Sequence, residues 1–144
     1  MSEVFQYTES GYTFIDTATV LTPDQTELFL KLLHNELGKA QLAVKKTRDA
    51  ELDAEEAYLK ARLPLLAEED CPDRERRSGR VTQKQVDAWF ADRITAEHQA
   101  LRRAQVDRRN AVSYAGVVKD QVQVMRSLNS LAKVFYEEHR GGPR

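Results

Sequence analysis

From Thr22 to Arg62 the chain offers one long helix whose apolar positions are spaced for a partner helix. Leu30, Leu33, Leu37, Ala40, Val44, Thr47, Glu51, Ala54, Tyr58 and Ala61 step by three and four residues, which is a heptad seam. The start is well marked. In Thr22-Pro23-Asp24-Gln25, threonine caps, proline suits the first helical position, and Gln25 completes a capping box. Only Gly38 interrupts the run that follows. At 1.5 Å per residue such a helix is roughly 60 Å long, too long for an ordinary compact domain. Its seam is polar at Thr47 and Glu51, so the middle is weak.

Pro64 removes an amide donor, opposes the carbonyl of Lys60 and disfavours helical geometry at Leu63. This predicts a helix end near Arg62. Lys60 and Arg62 would then sit in the last turn, where cations facing free carbonyls contribute about 0.3–1 kcal/mol. Residues 70–81, with proline, glycine and Arg74, Arg76, Arg77 and Arg80, read as a basic loop. Thr82-Gln83-Lys84-Gln85 is a second capping box, and helix is expected from there to about Glu138. It carries two seams. One runs through Phe90, Ile94, Glu97, Leu101, Ala104, Arg108, Ala111, Ala115, Val118, Val122, Met125, Asn129, Ala132 and Tyr136. The other runs through Tyr114, Val117, Gln121, Val124, Leu128, Leu131 and Phe135. Two adjacent seams exceed what a single antiparallel partner covers. The expectation is therefore self-association beyond a dimer, through Tyr114, Val118, Val122, Met125, Leu128, Leu131 and Phe135.

The first residues, "FQYTESGYTFID" at 5–16, alternate aromatic and polar on either side of Glu9-Ser10-Gly11 and predict a β-hairpin. A lone hairpin is marginal in water and needs a helix or another chain to pack on. The expected organisation is a hairpin or extended segment over 1–21, then a first long helix with its proline turn over 22–69. The basic loop over 70–81, a second long helix over 82–138 and a tail over 139–144 follow. The fold class is mainly α: a long antiparallel helical hairpin with a small N-terminal β-hairpin, assembling as a coiled-coil-like homo-oligomer.

Composition narrows the function classes. The net charge of −1 leaves no overall nucleic-acid footprint, but the charge is segregated. Residues 1–72 hold 7 basic and 14 acidic side chains; residues 73–109 hold 10 and 6. One cysteine, Cys71, excludes an internal disulfide and a cysteine-based zinc site, and His34, His98 and His139 show no metal-ligand spacing. No cofactor is expected. The absence of a basic, apolar leader and of any eighteen-residue apolar run points to a soluble cytoplasmic protein with no membrane partner. Catalysis finds no support: Glu55, Glu56, Glu68, Glu69 and Asp70 read as a solvated face, and no phosphate loop or nucleophile elbow is present.

Binding chemistry is better represented. Cations fall at Lys45, Lys46 and Arg48, at Lys60 and Arg62, in the arginine loop, and at Arg102, Arg103, Arg108 and Arg109. Single strands are held by cations tracking phosphates and by aromatic faces stacking on bases. Tyr58, Trp89 and Phe90 lie near these cations in sequence. Trp89 and Phe90 also read as packing at the start of the second helix, and Tyr58, on a seam position, as core. The last four arginines read first as a solvated face, then as partners for the acidic arm, then as phosphate ligands.

"LKARL" at 59–63 resembles the LKARL-type motif of the UvsY family of phage recombination mediators. "FID" at 14–16 is similar to that family's N-terminal region, and "SYAGVVKDQ" at 113–121 is a looser echo; order and overall length agree. The resemblance implies a homo-oligomeric, mainly helical protein that binds single-stranded DNA. Such proteins load a RecA-like recombinase onto strands coated by single-strand-binding protein, in the host cytoplasm, and the assembly would be a closed ring larger than a dimer. It makes Lys60 and Arg62 phosphate contacts, with Tyr58, Lys45, Lys46, Arg48, Arg74, Arg76, Arg77 and Arg80 as further DNA-binding candidates. The chain departs where the family continues with Asp-Tyr: Pro64-Leu65 stand there, and no aromatic takes that place. The rival reading is a coiled-coil assembly, scaffold or adaptor protein without DNA binding.

Overall fold

The computed structural model describes residues 5–8, 11–14, 22–72 and 79–140. It is mainly helical. Among the described residues three helices, α1 (Pro23–Leu66), α2 (Gln83–Arg93) and α3 (Thr95–Arg140), follow two short strands, Phe5–Thr8 and Gly11–Phe14. The strands pair antiparallel with Phe5 opposite Phe14, and the Glu9-Ser10 step of the expected hairpin lies outside the described residues.

Both expected capping boxes form. Gln25 N–H donates to Thr22 Oγ1 at 3.3 Å, and Thr22 N–H donates to Gln25 Oε1 at 3.1 Å. At the second, Gln85 N–H donates to Thr82 Oγ1 at 3.3 Å and Thr82 N–H to Gln85 Oε1 at 3.0 Å. Each box satisfies orphan donors that a bare helix start would leave exposed.

Pro64 does not end α1. The helix runs on to Leu66 with Pro64 inside it, which corrects the expected stop near Arg62. A proline in the last turn forfeits one hydrogen bond, to the Lys60 carbonyl, and that loss is offset by packing. Leu65 and Leu66 pack against the cluster of Tyr58, Cys71, Val86 and Phe90 and carry the helix through. The helix then tightens: Ala67 N–H donates to Pro64 O (3.4 Å) and Glu68 N–H to Leu65 O (3.1 Å), the spacing of a 3₁₀ turn. The last turn of α1 holds no basic residue, so Lys60 and Arg62 are not dipole caps.

The second expected helix is also divided. Ile94 leaves helical geometry (φ −122°, ψ 57°) and separates α2 from α3. Two β-branched residues, Ile94 and Thr95, meet here, and the Thr95 hydroxyl lies 3.0 Å from the Ala91 carbonyl and 3.2 Å from that of Asp92. A side chain that answers the last carbonyls of α2 replaces the helix's own donors at the break.

The chain forms two compact units, Met1–Val44 with Asn110–Arg144, and Lys45–Arg109. In the first, Phe29 and Leu33 of α1 meet Val122 and Met125 of α3, flanked by Leu30, Leu37 and Leu128. Thr26 meets Asn129, and Tyr114 Oη donates to Glu36 Oε1 at 2.6 Å. Rising numbers on α1 meet falling numbers on α3, so the helices are antiparallel. In the second unit Arg108 Nη1 donates to Glu51 Oε2 at 2.8 Å, and Tyr58 lies beside His98, again antiparallel. Its core is Tyr58, Cys71, Val86 and Phe90, closed by Val81, Trp89, Ile94 and Leu101.

Candidate nucleic-acid interface

The seam on α1 places every one of its ten predicted residues in a buried or half-buried position. Most residues between the seam positions face water, Glu36 and Ala43 being half-buried, and the cations are among the exposed ones. Lys45, Lys46, Arg48 and Lys60 are exposed. Arg62 is half-buried, and its surroundings differ from those of Lys60. The Arg62 guanidinium lies 4.2 Å from the Phe90 ring centroid and 5.6 Å from that of Tyr58. It stacks on the core of the second unit.

Lys60 and Arg62 nevertheless serve one surface. Residues two apart on a helix diverge, but both line one groove of about 670 Å³. Leu59, Leu63, Leu66 and Glu56 line it as well. The helix need not loosen for both cations to reach one occupant. A second groove, of about 380 Å³, lies in the same unit between α1 and α3. Ala50, Ala54, Ala100 and Ala104 line it, with Lys46 on the α1 side and Arg103 and Asp107 on the α3 side. The alanines keep its walls low, so the flanking charges dominate what approaches.

Tyr58 does not offer a base-stacking face. It is 8 % exposed and packed into the core, so its seam position describes it better than its neighbouring cations do. Burial raises its phenol above the ordinary value of 10.0; the Arg62 charge opposes the shift and Asp87 adds to it. Phe90 is fully buried. Trp89 stands edge-on to Phe90 at 5.0 Å, and Arg93 covers the Trp89 ring at 4.6 Å while pairing with Glu68 at 2.8 Å. The aromatic residues of this region therefore hold the unit together.

Arg80 is exposed; Arg74, Arg76 and Arg77 lie outside the described residues. Of the basic cluster on α3, Arg108 pairs with Glu51 across the hairpin, whereas Arg102, Arg103 and Arg109 are exposed. Arg103 lines the second groove, which nothing in its own basic run singled out. The signal for it lies in the alanine pairs at four-residue spacing, Ala50/Ala54 and Ala100/Ala104, which line the groove from α1 and α3.

The residues expected to join copies divide in the same way. Val118, Val122 and Met125 are buried within one chain, the latter two against Phe29 and Leu33. That corrects their expected role between copies. A heptad stripe reports that a helix has a partner without saying which chain supplies it. Tyr114 and Leu128 are half-buried, while Leu131 (66 %) and Phe135 (51 %) remain exposed, as does Val124. Among the described residues no cluster of histidine, cysteine and carboxylates is arranged for a metal ion, and no helix is long and apolar enough to cross a membrane.

Comparison with protein-family models, with curated proteins and with solved structures finds no match to this chain.

Proposed function

We propose that the chain is a UvsY-type recombination mediator that binds single-stranded DNA and helps load a RecA-like recombinase onto strands coated by single-strand-binding protein. The observation that carries the reading is the pairing of two cations in the lining of each of two grooves. Lys60 and Arg62 flank one groove and Lys46 and Arg103 another, both in the unit 45–109. The LKARL resemblance supports the same residues. Each groove combines an apolar lining with two cations and one carboxylate, Glu56 or Asp107, and the cations suit a strand held by its phosphates while its bases rest on a surface that reads no sequence.

One chain offers few phosphate contacts, so useful affinity requires several copies. The exposed apolar residues Val124, Leu131 and Phe135 on α3 support assembly into a closed cytoplasmic homo-oligomer larger than a dimer, in which the N-terminal strands gain a packing surface. Repeating weak sites raises avidity through effective concentration. It also leaves each contact weak enough for a recombinase to displace. The same α3 face supports the second reading, an assembly or scaffold protein with no strand affinity.

The deciding experiment is fluorescence anisotropy of a labelled oligothymidine titrated with the chain across a salt series. The wild type should bind at low salt. The slope of log affinity against log salt should flatten by about 0.7 for each phosphate contact removed. Lys60→Ala and the pair Lys46→Ala with Arg103→Ala are the variants of choice. Absence of low-salt binding, or slopes unchanged in both variants, refutes the mediator and leaves the assembly reading.

A further inference from the structure

A second row of residues on α1 is spaced as a helix-pairing seam, on the side away from its packed one. Leu52, Glu56, Leu59, Leu63 and Leu66 step by 4, 3, 4 and 3 residues. Leu52 is 51 % exposed, Leu59 49 % and Leu63 65 %. Leu66, at the end of the row, is half-buried against the core of the second unit, but the three leucines before it are left in water, which marks an interaction surface, and the charges beside them say what covers it.

On one flank of the row Asp53 precedes Lys60 by seven residues; on the other Glu55 precedes Arg62 by seven. Each flank therefore carries an acid two turns before a base. In an antiparallel pair of such helices each flank faces its own copy with the order reversed. Asp53 then meets Lys60 of the second copy, and Glu55 meets Arg62. Two-fold symmetry doubles both pairs, giving four opposite-charge contacts. The same register stacks Leu52 on Leu63 and separates the two Glu56 side chains, each against a Leu59. A parallel pair in register would instead set Glu56 directly against Glu56. Asp53, Glu55 and Lys60 are exposed, and a guanidinium over an aromatic ring, as Arg62 is over Phe90, can still pair through its edge with a carboxylate.

We propose that this face of α1 docks on the same face of a second copy, antiparallel and two-fold, through the leucine row and the Asp53–Lys60 and Glu55–Arg62 pairs. The contact is distinct from the α3 surface and does not depend on strand binding. Lys60 and Arg62 are common to both readings, so a bound strand and the helix pair exclude each other at this face.

The test is sedimentation velocity of the full chain over a concentration series, with two charge-reversed variants. Lys60→Asp with Arg62→Glu makes the face wholly acidic, and Asp53→Lys with Glu55→Arg makes it wholly basic. Each alone should raise the concentration at which copies pair about tenfold or more, the combined effect of losing four exposed pairs. A one-to-one mixture of the two should pair at least as well as the wild type. Leu52→Cys chains mixed with Leu63→Cys chains should form a mixed disulfide under mild oxidation. Wild-type association in both reversed variants, a mixture that does not recover, or cross-linking of Leu52→Cys chains only with each other overturns the proposal. The basic variant alters exposed residues alone and keeps Lys60 and Arg62. A loss of pairing there is neither misfolding nor a loss of strand contacts.

Discussion

Replacing Arg62 by alanine should destabilise the unit 45–109, whereas replacing Lys60 should not, although the two belong to one basic motif. The Arg62 guanidinium lies 4.2 Å over Phe90 and 5.6 Å from Tyr58, and both rings are buried. A cation over an aromatic face contributes about 0.5–1 kcal/mol when exposed and about 2 when desolvated. A half-buried guanidinium shared by two rings, with its stem packed beside them, should therefore contribute about 1–2 kcal/mol. Lys60 is exposed and touches neither ring, so its loss should stay within about 0.5 kcal/mol. The single tryptophan, Trp89, packs edge-on to Phe90, and its fluorescence during urea unfolding reports this unit. Arg62→Lys keeps the charge but loses the planar stack, and should recover at most about half of the difference. If Arg62→Ala unfolds at the same urea concentration as Lys60→Ala, the stacking account is wrong. The outcome also governs how strand binding is read, because a Lys60/Arg62 double variant would mix lost contacts with a loosened core. Lys60→Ala is the clean probe.

Two further expectations concern the polar members of the seams. Thr26 is fully buried, with its hydroxyl 2.8 Å from the Pro23 carbonyl and 2.6 Å from Asn129. Thr26→Val should cost about 1–3 kcal/mol by leaving the Asn129 amide without its partner. Adding Asn129→Leu should recover much of that, a non-additivity that helical circular dichroism during urea unfolding would detect; simple additivity would show that the pair does not act as a unit. Tyr58 supplies a pH dependence. Its phenol is raised above 10.0, chiefly by burial, so below pH 10 both states are protonated and its contribution is fully present. As pH rises further the unfolded chain ionises first, and stability falls until the folded-state value is passed. Tyr58→Phe should remove that part of the alkaline decline, and superimposable alkaline unfolding curves would show that another group is responsible.

The faces of the helices were legible from spacing alone, because burial repeats with the helical period whatever the partner is. Register was not. Glu51 read as a weak point of one seam and Arg108 as a polar member of another, yet they meet at 2.8 Å across the hairpin. Heptad spacing states which side of a helix is covered and contains no term for what lies opposite. The same limit explains Val122 and Met125, assigned to a second copy by their stripe and found against Phe29 and Leu33 of their own chain. Local rules failed where packing outweighed them. Pro64 costs one hydrogen bond near a helix end, and Leu65 and Leu66 offset it by reaching the core. At Ile94 the opposite holds: no proline or glycine marks the site, and the break rests on a β-branched pair and one threonine hydroxyl.

The site was legible as a set of cations but not as surfaces. Lys60 and Arg62, two residues apart, read as pointing away from each other, and on the helix they do diverge. They straddle the row Leu59–Leu63–Leu66 instead of opposing it, so divergence becomes the width of a groove. Lys46 and Arg103 are 57 positions apart and carry no common motif, and only the antiparallel crossing of two alanine-rich stretches sets them on one groove. A strand needs cations at the separation of a groove's two lips, and adjacency in sequence does not supply that separation. For this reason the two groove pairs, rather than the densest basic run, are where mutation should be aimed. Arg108, inside that run, already pairs with Glu51, and its removal should weaken the hairpin more than any strand contact.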